Sequence, residues 1–276
     1  MARRDPETNP AAFLGAELRR ARLAAGFSSQ EALAAKFGFD RTVIAKAETG
    51  DRPPTTDVLV AWCEACQLDE DLFARLAKLA RSADGPVPSW FESWLEAERE
   101  AQTLRYWQPI IVPGLFQTAG YARALFLAAQ NDVSEEAIDA LVSARLGRQV
   151  IFDEPDPPDV VVVLDELVLH RLVGSAEVMY GQLTQLVELS TRPYISVQVV
   201  PASQGANAGL GGALNIASGD GTPEIVHMDA VEGQTTERRV LVHKAAVAFD
   251  RVRGDALSRG QSRDLILRLA DELWKT

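Results

Sequence analysis

Residues 29–50 read SQEALAAKFGFDRTVIAKAETG, and their pattern is that of two short helices joined by a turn. The apolar residues recur at helical spacing on both sides of Gly38, so each helix can bury one face in a shared core. Asp40 stands where the carboxylate of an N-cap residue accepts from the free amides of the next turn. The second helix is therefore expected to begin after Asp40 and to end at Gly50.

Polar residues occupy the opposite face of this second helix. Arg41 and Thr42 lie in its first turn and Lys46 lies one turn later, which predicts one exposed edge that can meet one groove of DNA. Arg can donate twice to guanine, Gln can pair with adenine, and Thr or Val can contact a thymine methyl. The residues that we expect to contact DNA are Ser29, Gln30, Arg41, Thr42, Val43, Lys46, Thr49 and Arg52.

The same stretch carries a recognisable spacing, Q-x-x-L-A, then Gly, then I-x-x-x-E-x-G. Its positions are Gln30, Leu33, Ala34, Gly38, Ile44, Glu48 and Gly50. Through them, residues 14–54 resemble the Cro/CI-type, XRE-family helix-turn-helix of bacterial regulators. The resemblance implies that Arg22 and Glu48 form an internal salt bridge rather than contacting DNA. The alternative is a helical protein-interaction module that has lost DNA binding, which is favoured by Asp51 where a basic residue would help backbone contact.

Charge is unevenly distributed along the chain, whose formal net charge is -11. Residues 1–52 carry nine Lys or Arg against seven Asp or Glu, whereas the remainder carries 19 against 32. Phosphate contacts from Lys and Arg dominate affinity for DNA, so a module this weakly basic is expected to hold DNA poorly as a single copy. We therefore expect a homodimer on a palindromic site.

Length and composition favour two domains. With 276 residues, 47% of them hydrophobic, the chain can form a second core. Pro53 and Pro54 are followed by two more amphipathic helices, which predicts a five-helix N-terminal bundle. The segment SADGPVP, residues 82–88, has the composition of a linker, so we place a DNA-binding domain at 1–84 and an effector or dimerisation domain at 85–276.

Location and redox chemistry follow from simpler observations. The sequence contains no apolar run of about 18 residues and its N-terminus lacks the pattern of a signal peptide, so a cytoplasmic protein without a membrane association is expected. Cys63 and Cys66 form a single C-x-x-C without a second pair or a nearby His. They are interpreted as two small residues of a buried helix face rather than as a zinc site.

The C-terminal half changes character along its length. Residues 88–150 are predicted to be helical, including an aromatic stripe from Trp90 through Leu104, and residues 159–276 are predicted to be mixed. The predicted strands are 160–164, 195–200, 213–217, 225–228 and 239–242. The predicted helices are 118–129, 134–149, 176–189, 245–252 and 256–275. The fold class is mainly α with an α+β C-terminal part.

Four segments of this half carry a second resemblance. They are WQPIIVPGLFQTAGYARAL (107–125), VVLDELVLHRLVG (162–174), QLTQLVELS (182–190) and ISVQVVP (195–201). They look like the DUF5753 domain, which commonly follows an XRE-type helix-turn-helix in actinobacterial regulators. The resemblance implies a transcriptional regulator with a small DUF397-type protein as a possible partner, and it brings no catalytic residues.

A search for chemistry finds no catalytic residues, metal ligands or cofactor motif. The carboxylates near 153–166 lack the Lys of a PD-x-ExK nuclease, no G-x-S-x-G occurs, and the glycine-rich segment 205–221 has no following G-K-[ST]. That segment is interpreted as a mobile hairpin or lid loop that could order on a ligand or partner. An enzyme built on the mixed subdomain is therefore disfavoured.

Taken together, the residues favour a sequence-specific DNA-binding regulator whose C-terminal domain senses a small partner protein or a small-molecule effector. The alternative is an adaptor that captures a basic partner through its acidic remainder and carries a vestigial helix-turn-helix. Salt-sensitive binding of a partner without binding of DNA would favour the adaptor.

Overall fold

The N-terminal part of the chain folds into five helices. The computed structural model describes residues 10–80, 89–129, 134–219, 222–228 and 234–275. The five helices are α1 (Pro10–Ala24), α2 (Gln30–Phe37), α3 (Arg41–Thr49), α4 (Thr56–Cys66) and α5 (Glu70–Ala80). They share one apolar core centred on Leu18, Leu33, Ile44 and Trp62, each at most 2% exposed. The predicted five-helix bundle is confirmed.

Local capping sets both ends of α3. The Asp40 carboxylate accepts from the backbone N–H of Thr42 at 2.9 Å, and Gly50 ends the helix with a left-handed φ of 72°. Gly38, with φ 74°, makes the turn between α2 and α3. The predicted start of α3, the turn before it and its end are therefore confirmed. Each is determined by a residue close to α3 in the sequence.

Helices α1 and α3 approach each other closely at Gly15. A Cβ atom on Gly15 would lie 2.5 Å from the carbonyl oxygen of Ala47 and 2.8 Å from that of Glu48. Real side-chain atoms do not approach backbone oxygen that closely, so the crossing requires glycine. The packing of the last turn of α3 thus depends on the absence of a side chain on α1.

The rest of the chain alternates helices and strands. Helices are α6 (Ser89–Glu100), α7 (Ala119–Ala129), α8 (Glu135–Gly147), α9 (Glu166–His170), α10 (Ala176–Leu189), α11 (Arg239–Gly254) and α12 (Arg259–Leu269). Strands are β1 (Thr103–Gln108), β2 (Asp159–Asp165), β3 (Ile195–Val200), β4 (Leu214–Gly219), β5 (Thr222–Met228) and β6 (Gln234–Thr236). Short 3-10 turns at Gly114–Phe116, Arg148–Phe152 and Ala202–Gln204 and a π-helical turn at Ala270–Trp274 complete the described elements. The predicted fold class is confirmed.

Two predicted elements were wrong. The segment predicted to be helical through Leu104 contains a strand, because α6 ends at Glu100 and Thr103–Gln108 pairs with β2. The predicted strand 239–242 is instead the first turn of α11. Val242, Ala245, Phe249 and Val252 are buried at helical spacing, so packing along this helix outweighs the β propensity of the run around Val240.

The described strands form one sheet in the order β3-β2-β1-β4-β5-β6. β1, β2 and β3 are parallel, with Leu104 opposite Val160 and Val160 opposite Ile195. β5 and β6 are antiparallel, with Val226 opposite Thr236. Val160, Val162 and Val163 of β2 are at most 1% exposed, as expected for the central strand of three parallel strands, and Val161 is half-buried.

The chain divides into two compact units. Unit 1 comprises residues 1–100 and 216–245, and unit 2 comprises residues 101–215 and 246–276. Unit 1 therefore contains the helical bundle together with α6, β5, β6 and the first turns of α11. The predicted linker, 82–88, lies outside the described residues, so the boundary near 85 stays a prediction.

In unit 2 the glycine-rich segment is held against β1. The indole N–H of Trp107 donates to the carbonyl of Gly209 at 2.8 Å, and a Cβ atom on Gly209 would lie 2.3 Å from that ring. The Asn207 side chain accepts from the backbone N–H of Gly209 at 2.8 Å. The segment then enters β4, as predicted, and its role as a ligand-ordered loop stays a prediction.

No helix among the described residues combines the length and the hydropathy that crossing a bilayer requires. Cys63 is buried and Cys66 half-buried on α4, and both thiols are free. Burial, the largest cause, raises the pKa of Cys63 to about 11, which leaves this thiol protonated and unreactive at neutral pH. Their interpretation as small residues of one helix is consistent with these positions.

Candidate nucleic-acid interface

Six of the eight predicted DNA-contacting residues lie on exposed or half-exposed positions of α2 and α3. Ser29, Arg41 and Thr49 are exposed, and Gln30, Thr42 and Lys46 are half-buried. The Arg41 guanidinium donates to the side-chain oxygen of Gln30 at 3.3 Å, which brings the first turns of the two helices together. We call the surface formed by these six residues the α3 edge.

Helix capping accounts for the position of the smaller side chains on the α3 edge. The Ser29 hydroxyl accepts from the N–H of Ala32 at 3.1 Å and caps α2. The Thr42 hydroxyl donates to Asp40 at 2.8 Å. The single proton of the Thr49 hydroxyl has two acceptors in reach, the Asp51 carboxylate at 2.7 Å and the carbonyl of Lys46 at 3.1 Å. These hydroxyls are therefore held in place by local structure.

The structure places Val43 and Arg52 away from the α3 edge. Val43 is 3% exposed and packs in the bundle core, so its methyl groups face helices rather than solvent. The Arg52 side chain is 6% exposed and forms an ion pair with Glu237, whose side chain is 1% exposed. The sequence around Arg52 predicted an exposed cation, because nothing near Arg52 indicates that a buried partner follows 185 residues later.

The internal salt bridge implied by the helix-turn-helix resemblance is present. Arg22 donates to both carboxylate oxygens of Glu48, at 2.5 and 3.1 Å, and both side chains are at most 5% exposed. The Gln30 amide also donates to Glu48 at 2.9 Å. The pair ties α1 to the last turn of α3 and orients Gln30. Beside it lies an open cleft of about 450 Å³ lined by Arg19, Arg22, Ser28, Gln30, Glu48 and Thr49.

Basic residues of α11 and its preceding loop border the start of α3. The Arg239 guanidinium donates to the Asp40 carboxylate at 2.8 Å, and the Arg239 backbone N–H donates to the carbonyl of Gly38 at 3.2 Å. The guanidinium of Arg238 lies 5.9 Å from the centre of the Phe39 ring. The backbone hydrogen bond from Thr42, followed by the side chain of Arg239, lowers the pKa of Asp40. The cap is thus ionised at neutral pH.

Acidic residues border the other end of α3. The Lys46 ammonium lies 3.5 Å from the Glu100 carboxylate at the end of α6. Burial, the largest cause, raises the pKa of Glu96, although the nearby charge of Arg52 lowers it. Burial also lowers the pKa of Arg52, against the charges of Glu96 and Glu100. The cations near the last turns of α3 therefore have carboxylate neighbours supplied by the chain itself.

Comparison with known families agrees with this division of the chain. Residues 14–76 match the family described as a helix-turn-helix domain. Residues 91–268 match the domain of unknown function DUF5753. The chain belongs to the DUF5753 family. No curated protein and no solved structure matches it.

The helix-turn-helix match and the DUF5753 match together identify a DNA-binding transcriptional regulator in general terms. The DUF5753 match includes α6, β5, β6 and the first turns of α11, which lie in the same compact unit as the bundle. Within the described residues, no group of three His, Cys, Asp or Glu side chains is placed to hold a metal ion.

Sequence reasoning missed five residues whose side chains contact the helix-turn-helix from the DUF5753 part. They are Glu100, Thr236, Glu237, Arg238 and Arg239. A signal was available for three of them, because the charged run Glu-Arg-Arg at 237–239 directly precedes the apolar residues 240–242, which were interpreted as part of a strand. Nothing in the sequence indicates that Glu100 lies beside Lys46.

Proposed function

We propose that this DUF5753 protein binds operator DNA in a sequence-specific manner through the α3 edge. The observation that carries the proposal is the hydrogen bond between Arg41 and Gln30, which joins two side chains capable of reading base edges at the start of α2 and α3. The helix-turn-helix match supports insertion of α3 into the major groove.

The residues of the α3 edge divide by the contacts they suit. The Gln30 amide has one donor and one acceptor that match adenine, the Arg41 guanidinium has paired donors that match guanine, and the Thr42 methyl suits thymine. Ser29, Lys46 and Thr49 suit phosphate oxygens, Ser29 because it stands at the N-terminus of α2. Val43 and Arg52 are left out because both are buried.

The proposal includes a homodimer on a palindromic operator. Two copies would double the phosphate contacts of a weakly basic bundle. Leu72 and Leu79 on α5 support self-association, since they are seven residues apart on one helix face and 51% and 62% exposed. A second copy of α5 would remove both side chains from water. Leu72→Lys together with Leu79→Lys should then convert the dimer to a monomer in sedimentation velocity, with unchanged helical content.

The proposal also assigns sensing to the DUF5753 domain. Ion pairs from Glu237 to Arg52 and from Arg239 to Asp40 connect its segment 234–241 to the bundle, so a change in that segment would reach both ends of α3. The proposed signal is a small partner protein of the DUF397 type or a small-molecule effector, in keeping with the resemblance of the sequence.

Selection of genomic DNA fragments by the full chain at low and near-physiological salt tests the function. The variant Arg41→Ala/Lys46→Ala is compared with Arg20→Ala/Lys78→Ala, which removes the same charge from exposed positions elsewhere in the bundle. We expect the wild type and the control to recover one two-fold symmetric site that the first variant fails to recover. Equal recovery by both variants would contradict reading by α3, and no enrichment at either salt would favour the adaptor.

A separate comparison distinguishes base reading from phosphate contact. If Arg41 reads a base, Arg41→Ala should cost about 1–3 kcal/mol of binding free energy and relax the preference at one position. Lys46→Ala should instead weaken all sequences alike and reduce the salt dependence. Uniform weakening by Arg41→Ala would contradict base reading by Arg41.

A further inference from the structure

We infer that Arg238 and Arg239 form a second contact with the phosphate backbone of the same DNA, supplied by the DUF5753 part of the chain. This inference rests on the proposed function, because it concerns DNA already engaged by the α3 edge. The contact would lie beside the N-terminus of α3, where a recognition helix enters the groove and the neighbouring phosphates line its rim. It would extend the footprint beyond the helix-turn-helix.

The position of Arg239 beside the start of α3 supports this contact. The Arg239 guanidinium is fixed on the Asp40 cap, 2.8 Å from its carboxylate, and its backbone is hydrogen-bonded to Gly38. Asp40 also holds the N–H and the hydroxyl of Thr42. Arg239 thus contacts Asp40, which in turn contacts Thr42, a residue proposed to contact a base. A cation at this position cannot be far from the backbone of a duplex read by α3.

The guanidinium groups of Arg238 and Arg239 also have N–H donors available to a phosphate group. The side chain of Arg239 is 67% exposed, and its guanidinium has five N–H donors, most of which stay open to an anion after the contact with Asp40. Arg238 is exposed and its guanidinium lies over the Phe39 ring, 5.9 Å from the ring centre, a contact that does not use its N–H donors. Planar guanidinium groups bind phosphate with two parallel hydrogen bonds.

The charges of the residues around Arg238 and Arg239 also favour binding of an anion. Between residues 234 and 245 the cations are Arg238, Arg239 and Lys244, all exposed, and the one acidic residue is Glu237. Glu237 is buried against Arg52, so its charge is already compensated inside the fold. Arg238 and Arg239 lie at the start of α3, and with the ionised Asp40 included they leave a net positive charge there, in a part of the chain that is otherwise strongly acidic.

The test measures binding to a random-sequence 30-base-pair duplex and to the duplex enriched by selection, by fluorescence anisotropy between 50 and 200 mM salt. The variant Arg238→Ala/Arg239→Ala is compared with Arg251→Ala/Arg263→Ala, which removes two exposed arginines from α11 and α12 in unit 2. For each phosphate that the protein no longer neutralises, the slope of log affinity against log salt should fall by about 0.9. We expect a fall of about 1 to 2 for each bound copy of the first variant, on both duplexes, and none for the control.

A second variant separates phosphate contact from support of the α3 cap. Arg239→Lys keeps a positive charge beside Asp40 and should retain most of the slope, whereas Arg239→Gln should reduce the slope by the value of about one phosphate. A role confined to capping would lower the affinity equally at all salt concentrations and lower the melting temperature, with the slope unchanged. That result would overturn the inference.

The inference and the proposed function fail in different ways. If the wild type binds DNA and Arg41→Ala/Lys46→Ala abolishes binding, while Arg238→Ala/Arg239→Ala has the slope of its control, the inference is wrong and the function stands. If the wild type binds neither duplex at any salt concentration, both are wrong. A fall in slope for Arg238→Ala/Arg239→Ala, without a fall for Arg251→Ala/Arg263→Ala, supports the second contact.

Discussion

The first and last turns of α3 differ in the charges that surround them. At the first turn, Arg41 and Arg239 leave guanidinium groups exposed around the Asp40 cap. Near the last turn, Lys46 lies beside Glu100, and Arg52, just beyond the helix, is buried against Glu237. The electrostatic surroundings of α3 are therefore not uniform along its length. Residues distant in sequence determine which of its cations remain available to DNA.

Arg52→Ala should have the largest effect on this contrast. Removing one partner of a buried ion pair leaves the other charge unpaired, which costs about 3–5 kcal/mol of unfolding free energy. Arg52 and Glu237 are both buried, so the side chain left behind cannot reach water. The measurement is denaturant unfolding of the full chain followed by circular dichroism.

Arg52→Met/Glu237→Met is the control for Arg52→Ala, because it removes both charges and keeps the volume. It should restore most of the stability. If Arg52 instead contacted DNA, this double variant would be stable and yet bind DNA weakly with a reduced salt slope. That outcome would contradict the assignment of Arg52 to the interior.

Gly15→Ala should have the second largest effect. Its Cβ would collide with the carbonyl oxygens of Ala47 and Glu48, and overpacking of this kind costs about 1–3 kcal/mol. The last turn of α3 would have to move, so binding of DNA should weaken together with stability. Gly260→Ala on α12 is the matched control, since its Cβ meets open space and should be neutral or slightly stabilising. Equal stability of the two variants would show that α1 can shift without cost.

Glu100→Gln should have the third largest effect, and it should reduce the contrast between the two ends of α3. Removing the carboxylate 3.5 Å from Lys46 frees that ammonium for phosphate, while an exposed pair is worth only about 0.2–1 kcal/mol. The affinity for DNA should therefore rise severalfold at low salt, and the salt slope should become steeper. Glu31→Gln, an exposed change on α2, serves as the charge control. A gain no larger than that of Glu31→Gln would mean that Glu100 does not compete for Lys46.

The smallest effect is expected in the pH dependence of stability at Glu96. Because burial raises the pKa of Glu96 in the folded chain, its ionised form is less stable there than in the unfolded chain. The cost is present at neutral pH and is relieved as the pH falls through the raised pKa. Glu96→Gln should thus be more stable than the wild type at pH 7, and the difference should narrow toward pH 4. A difference that stays constant with pH would contradict this cause.

Local signals in the sequence explain most of what could be predicted about α3. The Asp40 cap, the Gly38 turn and the Gly50 end each depend on neighbouring residues, so the helix and its exposed edge were predictable. Strand 103–108 was missed because Leu104 continues the helical spacing of the apolar stripe of α6, and only pairing with β2 distinguishes the strand from the helix.

The surroundings of α3 could not be predicted for a physical reason. Whether Arg52 is a surface cation or a buried one depends on Glu237, and whether Lys46 is free depends on the end of α6. These are long-range contacts that no spacing rule encodes. The same holds for Gly15, whose requirement for a missing side chain appears only once α1 crosses α3.

The ion pair between Arg52 and Glu237 also has a consequence for the order of folding. The two residues are 185 positions apart, and unit 1 is interrupted by residues 101–215. During synthesis the bundle core can assemble from α1 to α5 long before residue 237 exists, since domains generally fold from the N-terminus as the chain emerges. Arg52 is then without Glu237, its partner in the folded chain. Because the charge of Arg52 is not yet compensated, the nascent bundle is more positively charged than the finished one. The helical bundle therefore reaches its final charge distribution late, after most of the chain has been synthesised.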